Sequence, residues 1–328
     1  MLQPVRRRRR RRRRIVWRRF APLLVLGGVA IAAGLVVGAR QHTAATEAAS
    51  AASRPARRPA AAKTRAAVAR PAALLSGPAA VRAPLAGMTA RAAIVVDARS
   101  GRVLWAKRPH QRRQIASTTK IMTALLALRR LGPHDVVTVP PGAPRVPLVR
   151  EGLRAGERVQ AWKLFYGLLL YSGNDDALAL AVAAGGTRAA FVRGMNAEAE
   201  RLGLADSHFT STSGVIDDEN YSSAWDLAAL TRVAMRNSRF RAIVHRRRIE
   251  VPWSAPTFAK EYVNKNRLLS LYPGATGVKT GYTHRSGPCI VASATRGGVS
   301  LIAVALASRD LYADAGKLLD LGFRAARS

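Results

Sequence analysis

The chemistry of this 328-residue sequence centres on a serine and a lysine three residues apart, Ser117 and Lys120. From Ile121 to Leu128 only Thr123 is polar, so the spacing predicts that Ser117 and Lys120 lie on one face of a helix buried inside a domain. Burial without a partner disfavours the ammonium form of a lysine and lowers its pKa. Lys120 is therefore a candidate general base that activates Ser117 as a nucleophile. The alternative is that Ser117 only caps the helix.

Two further polar motifs follow downstream, Ser172-Gly173-Asn174 and Lys279-Thr280-Gly281. We expect Gly173 to let the backbone turn tightly, so that Ser172 and Asn174 face the same cleft. Taken singly, the first motif is compatible with a helix cap and the second with a surface strand. Together, Ser-x-x-Lys, Ser-x-Asn and Lys-Thr-Gly in this order form the signature set of penicillin-binding proteins and serine β-lactamases.

The stretch from about Ala90 to Ala325 resembles the D-alanyl-D-alanine carboxypeptidases, the low-molecular-weight penicillin-binding proteins of the S11 serine peptidase family. Two small departures are Tyr171, an aromatic residue before the second motif, and Trp225, where such proteins usually carry arginine. The resemblance implies an α+β, penicilloyl-serine transferase fold with an antiparallel sheet, a helical half and the active site between them. The flanks that carry it are Ile115 to Ala124, Gly167 to Ala177, Asp217 to Leu227 and Asn266 to Arg285.

The resemblance assigns catalytic roles to three residues. Ser117 attacks the peptide carbonyl and forms the acyl-enzyme, Lys120 takes its proton while neutral, and Ser172 relays that proton to the departing nitrogen. Two lysines in one cleft lower each other's pKa, and we expect Lys279 to help keep Lys120 neutral in this way.

The resemblance assigns five further residues to substrate binding. Asn174 bonds the peptide amide and holds the catalytic lysine, while Lys279 and Thr280 face the free carboxylate of the substrate. Gly281 keeps its strand flat for the substrate to lie alongside. The backbone N–H groups of Ser117 and Tyr282 form the oxyanion hole.

The implied activity is removal of the terminal D-alanine from peptidoglycan stem peptides, with β-lactam antibiotics as covalent inhibitors and without a cofactor. A D,D-endopeptidase acting on cross-links uses the same machinery and stays open. A serine β-lactamase is disfavoured, because Gly173 replaces the aspartate of the Ser-Asp-Asn form and no glutamate-bearing deacylation loop is clear. The glutamates considered for that role, in helix-like or turn contexts, are Glu198, Glu200 and Glu219. A non-catalytic wall-binding or nucleic-acid-binding protein is disfavoured by the intact nucleophile motif.

Cysteine and histidine usage argues against metal chemistry. The single cysteine, Cys289, lies in a predicted buried strand and excludes an intrachain disulfide. The six histidines show no metal-ligand spacing, so we expect no metal site and no zinc peptidase.

The N-terminal 87 residues carry nineteen Arg and Lys residues against one acid, a net +18 of the chain's total of +35. Nine consecutive arginines, Arg6 to Arg14, precede an uncharged span, Phe20 to Ala39. This pattern predicts a basic cytoplasmic segment (1–19) that contacts anionic membrane lipids and a transmembrane signal anchor (20–39). A disordered Ala/Arg/Pro linker (40–87) and a peptidase domain (88–328) outside the cytoplasm follow. Cleavage near Ala44-Ala45 or Ala48-Ala49 to give a secreted form is the alternative, and no specific nucleic-acid partner is expected.

Within the domain, hydrophobic periodicity and turn residues predict helices in the middle and strands at both ends. The predicted strands are a hairpin over Ala92 to Lys107, Val136 to Val139, a strand beginning near Thr276, and a pair over Ile290 to Thr295 and Ser300 to Ala307. The predicted helices run from Ser117 to about Gly132, Ala161 to Leu170, Asp175 to Ala184, Thr187 to Leu202, Ser223 to Asn237 and Leu311 to Ala325. Pro140 to Gly156 is predicted to be irregular.

Overall fold

The structure, a computed structural model, describes residues 74–77, 85–215, 219–253 and 259–326. The basic segment and the anchor predicted for residues 1–39 lie outside the described residues. Within the ranges just given, no helix is both long and apolar enough to cross a bilayer. Four residues of the predicted linker, 74–77, contact the domain: Leu75 is buried, and Ser76 pairs with Arg102. Ordered contacts therefore begin before the domain boundary predicted at residue 88.

The described chain forms eleven strands and eight α-helices. The strands are β1 (Ala92–Asp97), β2 (Val103–Lys107), β3 (Arg113–Gln114), β4 (Val136–Thr138), β5 (Arg158–Gln160), β6 (Tyr221–Ser222), β7 (Arg248–Pro252), β8 (Ala259–Val263), β9 (Ala275–Thr283), β10 (Gly287–Arg296) and β11 (Val299–Leu306). The helices are α1 (Lys120–Arg130), α2 (Ala161–Tyr166), α3 (Asn174–Gly185), α4 (Arg188–Arg201), α5 (Ala224–Ala234), α6 (Ser238–His245), α7 (Leu268–Leu271) and α8 (Leu311–Ala325).

A five-stranded antiparallel sheet in the order β2-β1-β11-β10-β9 organises the domain. Its centre joins the two ends of the described chain, because Ile94 in β1 pairs with Val304 in β11. These strands are rich in β-branched and small apolar residues, which suit a sheet buried on both faces. The prediction that both ends of the domain complete one antiparallel sheet is confirmed.

Each face of the sheet has its own hydrophobic core. Successive side chains of a strand point to opposite faces, so Val95 and Leu301 pack with α8, whereas Ile94 and Ile302 pack with the helical half. Gly322 in α8 permits the first contact, since a Cβ there would lie 2.9 Å from a Val95 methyl carbon. The sheet is therefore a layer between α7 and α8 on one face and the helical half on the other.

The helical half buries α1 on nearly every side, as its sequence predicts. A 3₁₀ turn, Ala116–Thr119, leads directly into α1, and Ile121, Met122 and Leu128 have at most 2% of their surface exposed. α1 packs against α3 and α5 in this half. Because α1 also adjoins the 3₁₀ turn that packs on β9, the helix carries its first residue to the boundary between the two halves.

Most predicted elements are confirmed to within three residues at their ends. The main difference concerns residues 238–271, which form α6, the hairpin β7–β8 and α7, although the sequence predicts no helix or strand there. The strands of this hairpin are exposed on alternate residues, including charged Glu250 and Glu261, so they lack the apolar runs that marked the central sheet. A second difference is that the helix predicted over Ala161 to Leu170 ends in a π-helical turn, Gly167–Tyr171.

Candidate active site

Ser117 and Lys120 meet at the junction between the 3₁₀ turn and α1. Lys120 is fully buried and its Nζ lies 2.9 Å from Ser117 Oγ. Ala116, just before the serine, has a left-handed backbone with φ of 46°. Such a conformation costs a non-glycine residue about 1 to 3 kcal/mol and is concentrated at functional sites. Ser117 does not cap α1, because the N-cap is Thr119 and no side chain accepts a capping hydrogen bond there.

Lys120 has partners that suit a neutral amine. Its Nζ donates to Asn174 Oδ1 at 2.6 Å and to the carbonyl oxygen of Ser172 at 3.1 Å, two groups that can only accept. A neutral amine has two N–H groups and one lone pair. With both N–H groups engaged, the lone pair is left for the hydroxyl proton of Ser117. Burial, and next the charge of Lys279, hold the pKa of Lys120 well below its usual range.

The turn Ser172-Gly173-Asn174 faces Lys120, but Ser172, not Gly173, adopts the left-handed backbone conformation that makes the turn tight. Ser172 is left-handed with φ of 73°, whereas Gly173 has an ordinary extended backbone with φ of −62° and ψ of 132°. The expectation that Gly173 supplies the turn through its backbone freedom is therefore wrong. A Cβ on Gly173 would lie 1.9 Å from Asp176 Oδ2, so a glycine is needed here to leave room for that carboxyl group.

Asn174 is fixed at both ends of its side chain. Its Nδ2 donates to the carbonyl oxygen of Pro147 at 2.8 Å, which orients Oδ1 towards Lys120. Its backbone N–H donates to the carbonyl oxygen of Val149 at 2.8 Å. Two roles were expected for Asn174, and the contact between its Oδ1 and Lys120 Nζ supports the role of holding the lysine.

Lys279 completes a continuous polar path. From β9 its Nζ donates to Ser172 Oγ at 3.0 Å, and Ser172 Oγ lies 3.3 Å from Lys120 Nζ. Only 2% of the surface of Lys279 is exposed, and burial followed by the charge of Lys265 lowers its pKa to about 7. The charge of Lys279 lowers the pKa of Lys120, as expected for two lysines in one cleft.

The strand β9 passes directly beside the nucleophile. A Cβ on Gly281 would lie 2.8 Å from the backbone nitrogen of Ser117, so this glycine permits close approach of the strand. Thr280 precedes it, half-buried, and its carbonyl oxygen accepts from Lys279 Nζ at 2.9 Å. Tyr282 follows with an exposed side chain. The structure thus brings all eight predicted site residues to one boundary between the sheet and the helical half.

Lys265 is a third lysine at the site and was not among the predicted site residues. It follows the hairpin β7–β8, its Nζ lies 4.4 Å from the centre of the Tyr171 ring, and its charge lowers the pKa of Lys279. The aromatic residue before Ser172 is therefore a contact of this lysine. Its only sequence signal was its place directly before the matching flank that begins at Asn266.

Cys289 is buried in β10, and burial raises the pKa of its thiol to about 11. A thiol with this pKa is a poor nucleophile at neutral pH. Across the described ranges, no group of three or more His, Cys, Asp or Glu residues could hold a metal ion.

A buried Ser–Lys pair that faces a Ser-x-Asn turn and a Lys-Thr-Gly strand, between a five-stranded sheet and a helical half, defines a serine hydrolase of the penicilloyl-serine transferase fold. Residues 78–310 match the family model described as D-alanyl-D-alanine carboxypeptidase, peptidase S11. The match covers more than half of the chain, and the chain belongs to this family.

Individual relatives agree with this assignment. A D-alanyl-D-alanine carboxypeptidase of Streptomyces sp. strain K15 is 37% identical over 247 residues, which cover 68% of this chain and 84% of that protein. DacB2 of Mycobacterium tuberculosis is 35% identical, covering 67% of this chain and 75% of that protein. DacF of Bacillus subtilis is 32% identical, covering 71% of this chain and 62% of that protein.

Solved structures show the same fold. The crystal structure of the Streptomyces K15 DD-transpeptidase superposes with a TM-score of 0.70 at 35% identity, covering 74% of this chain and all of that one. The D-alanyl-D-alanine carboxypeptidase of M. tuberculosis H37Rv superposes with a TM-score of 0.71 at 32% identity, covering 76% of this chain and 96% of that one. The α+β penicilloyl-serine transferase fold expected from the motifs is thus confirmed.

Proposed function

We propose that this protein is a serine D,D-carboxypeptidase that removes the terminal D-alanine from peptidoglycan stem peptides through an acyl-enzyme on Ser117. The observation that carries the proposal is the environment of Lys120. Its Nζ donates to the carbonyl oxygen of Ser172 and to Asn174 Oδ1 and lies 2.9 Å from Ser117 Oγ. In the neutral amine those two acceptors use both N–H groups, so the lone pair is available to the hydroxyl of Ser117. A buried amine held in this way can take a proton from the nucleophile.

Acylation follows from this geometry. Lys120 accepts the hydroxyl proton of Ser117 while Oγ attacks the carbonyl carbon of the penultimate D-alanine. The oxyanion is stabilised by the backbone N–H groups of Ser117 and Tyr282. The tetrahedral intermediate collapses as the proton passes from Lys120 through Ser172 Oγ to the leaving nitrogen, and free D-alanine departs. Water then attacks the ester, and the same groups return the proton to Ser117.

Recognition of the substrate carboxylate belongs to β9. Lys279 supplies a cation at Ser172 and Thr280 supplies a hydroxyl group on the same strand. A bound carboxylate raises the pKa of Lys279 and so favours the charged form that binds it. A β-lactam presents a strained amide and a carboxylate in a comparable arrangement, so penicillins are expected to acylate Ser117 as well.

The acceptor of the acyl group distinguishes the related activities. Water as acceptor gives a carboxypeptidase with a pentapeptide and a D,D-endopeptidase with a cross-linked peptide. An amine as acceptor gives transpeptidation, and the similar K15 protein is described as a DD-transpeptidase in its crystal structure. Fast release of the penicilloyl group by water would give a β-lactamase instead.

One experiment separates these outcomes. The protein is incubated with a pentapeptide precursor, with cross-linked muropeptides, and with the pentapeptide plus an amino-acid acceptor, and the products are identified by mass. We expect loss of one D-alanine from the pentapeptide and long-lived labelling of Ser117 by fluorescent penicillin. Ser117→Ala should abolish the label and Cys289→Ala should keep it. A label that survives in Ser117→Ala would refute the assignment of Ser117 as the nucleophile. Rapid turnover of penicillin by the wild type would support a β-lactamase.

For its location, we propose a domain outside the cytoplasm on a single-pass anchor, with the nine arginines at the anionic cytoplasmic leaflet. The support is the charge asymmetry around residues 20–39. Protease added to intact spheroplasts should digest the domain. If the domain is protected from the protease, the proposed location outside the cytoplasm is wrong. If the mature chain starts after Ala45, the segment is a cleaved signal and not a retained anchor.

A further inference from the structure

Two buried acids lie directly beneath the Ser172-Gly173-Asn174 turn. Asp176 in the first turn of α3 is fully buried, and only 3% of the Glu151 side chain is exposed. A Cβ on Gly167 would lie 2.2 Å from Glu151 Oε2 and 2.4 Å from Asp176 Oδ1. The two carboxyl groups therefore face each other under one glycine, close enough to interact directly.

The surroundings of the pair leave three of its four oxygens without a conventional donor. Neither oxygen of Asp176 nor Glu151 Oε2 receives an N–H or O–H group from elsewhere in the described structure. The fourth oxygen, Glu151 Oε1, accepts from Lys260 Nζ at 2.8 Å and from the hydroxyl of Tyr262. Two adjacent buried carboxylates cannot both be ionised at reasonable cost. If Asp176 is protonated and donates to Glu151 Oε2, the two carboxyl groups form a hydrogen bond and only one buried negative charge remains.

The charges around the pair identify which member is ionised. Glu151 Oε1 accepts from Lys260 Nζ and from the Tyr262 hydroxyl, whereas neither oxygen of Asp176 has such a donor among the described residues, so this geometry assigns the shared proton to Asp176. Burial, followed by the charge of Glu151, holds the pKa of Asp176 well above its usual range. The neighbouring Asp175 is committed elsewhere, because its carboxylate accepts the backbone N–H groups of residues 151, 152 and 153.

The pair is coupled to the candidate catalytic groups in two ways. Asp176 Oδ2 fills the space where a side chain on Gly173 would lie, so this carboxyl group packs directly against the turn. Negative charge on Asp176 also raises the pKa of Lys120. An ionised Asp176 would thus repel Glu151, push on the turn and favour the ammonium form of the lysine.

We propose that Glu151 and Asp176 form a carboxylic acid pair with a single shared proton that positions the Ser172-Gly173-Asn174 turn and keeps Lys120 in its neutral form. Both acids are positioning residues, since neither touches the reacting atoms. The inference rests on the proposed function for its kinetic consequence, whereas its consequence for folding is independent of any activity. Loss of the proton at alkaline pH should slow acylation even when β-lactam is saturating.

The test uses Asp176→Asn and Asp176→Ala in the full-length chain, with Asp135→Asn as a control at an exposed aspartate. The asparagine is neutral at every pH, and its amide can still donate to Glu151 Oε2. The alanine removes the pair. Acylation by a fluorescent penicillin is followed between pH 6 and pH 10, and the saturated rate is separated from the apparent affinity. This separation is needed because deprotonation of Lys279 in the same range weakens affinity for the carboxylate.

We expect the saturated rate of the wild type and of Asp135→Asn to fall at alkaline pH. Asp176→Asn should keep the neutral-pH rate within about threefold and lack the alkaline fall, whereas Asp176→Ala should be slower by about tenfold or more at every pH. An unchanged alkaline fall in Asp176→Asn, or wild-type rates in Asp176→Ala, would overturn the proposal.

Thermal unfolding supplies the measurement that does not depend on activity. A carboxyl group with a raised pKa in the folded state binds more protons there than in the unfolded chain, so its contribution to stability is lost as pH rises above about 4. The unfolding temperature of Asp176→Asn should therefore rise relative to that of the wild type as pH increases from 4 to 9. A constant difference across this range would refute the shared proton. Absence of penicillin labelling in the wild type would refute the proposed function and leave this comparison intact.

Discussion

Replacement of Lys120 by arginine tests the role of the neutral amine while keeping a basic side chain. Lys120 is fully buried with four polar contacts at its Nζ. A guanidinium stays protonated in proteins and has no lone pair to accept a proton. Lys120→Arg therefore removes the base that the geometry directs at Ser117 Oγ.

The size of the effect follows from what the base supplies. General-base catalysis contributes about 100-fold to 10,000-fold to a rate, or about 3 to 5 kcal/mol of activation free energy. Overpacking of a full site costs about 1 to 3 kcal/mol of folding stability, so the variant must first be shown to unfold cooperatively. We expect the acylation rate constant of Lys120→Arg to fall by at least about 100-fold.

Lys279→Arg is the matched control, since it places the same side chain at the other buried lysine of the site. Only a cation is needed opposite the substrate carboxylate, so we expect a loss of about tenfold or less. The assay is the second-order rate constant for covalent labelling by a fluorescent penicillin, with Ser117→Ala as the blank. Equal losses in the two arginine variants would refute the division of roles between the lysines.

Three further predictions follow from the site. Gly173→Ala should lower the unfolding free energy by about 1 to 3 kcal/mol, because its Cβ would meet Asp176 Oδ2 at 1.9 Å; chemical denaturation measures this change. Gly194→Ala is the control, since it lies inside α4 with no atom within 4 Å of its Cβ, and it should raise the unfolding free energy by about 0.5 to 1 kcal/mol. Because the pKa of Lys279 is lowered to about 7, the folded state binds fewer protons than the unfolded chain between pH 7 and about pH 10, so the unfolding midpoint of the wild type should rise relative to Lys279→Met over this range. Lys265→Met should raise the pKa of Lys279 and extend penicillin affinity to higher pH; an unchanged pH profile would contradict the electrostatic link.

Much of the site could be predicted because its chemistry is encoded in short motifs. Ser117 and Lys120 lie close in sequence, and an apolar helix forces the lysine inside. The Lys279 strand and the pairing of the two chain ends followed from β-rich runs at both ends of the domain. In each case a local pattern and the tertiary contact favour the same arrangement.

The remaining features depend on contacts that no local pattern records. Glu151 lies in a stretch predicted only as irregular, so its approach to Asp176 is visible only once α3 and the hairpin β7–β8 are in place. Glu198, one of the glutamates considered for deacylation, instead pairs with Arg129 and Arg201. The role of Gly173 was misassigned for the same reason, since the obstacle to a side chain there is a carboxyl group three residues later.

The pairing of β1 with β11 has a consequence for the order of events during synthesis. The two strands at the centre of the sheet are about 210 residues apart, with Ala92 opposite Leu306. Such long-range pairing makes folding slow, since a large loop must close before the contacts form. Ser117 is made early, but its lysine-bearing neighbour strand β9 is held in place only when β10 and β11 have emerged. The nascent chain thus carries a serine without its full environment until nearly the whole domain is available, and the activity proposed here begins only with the last strand.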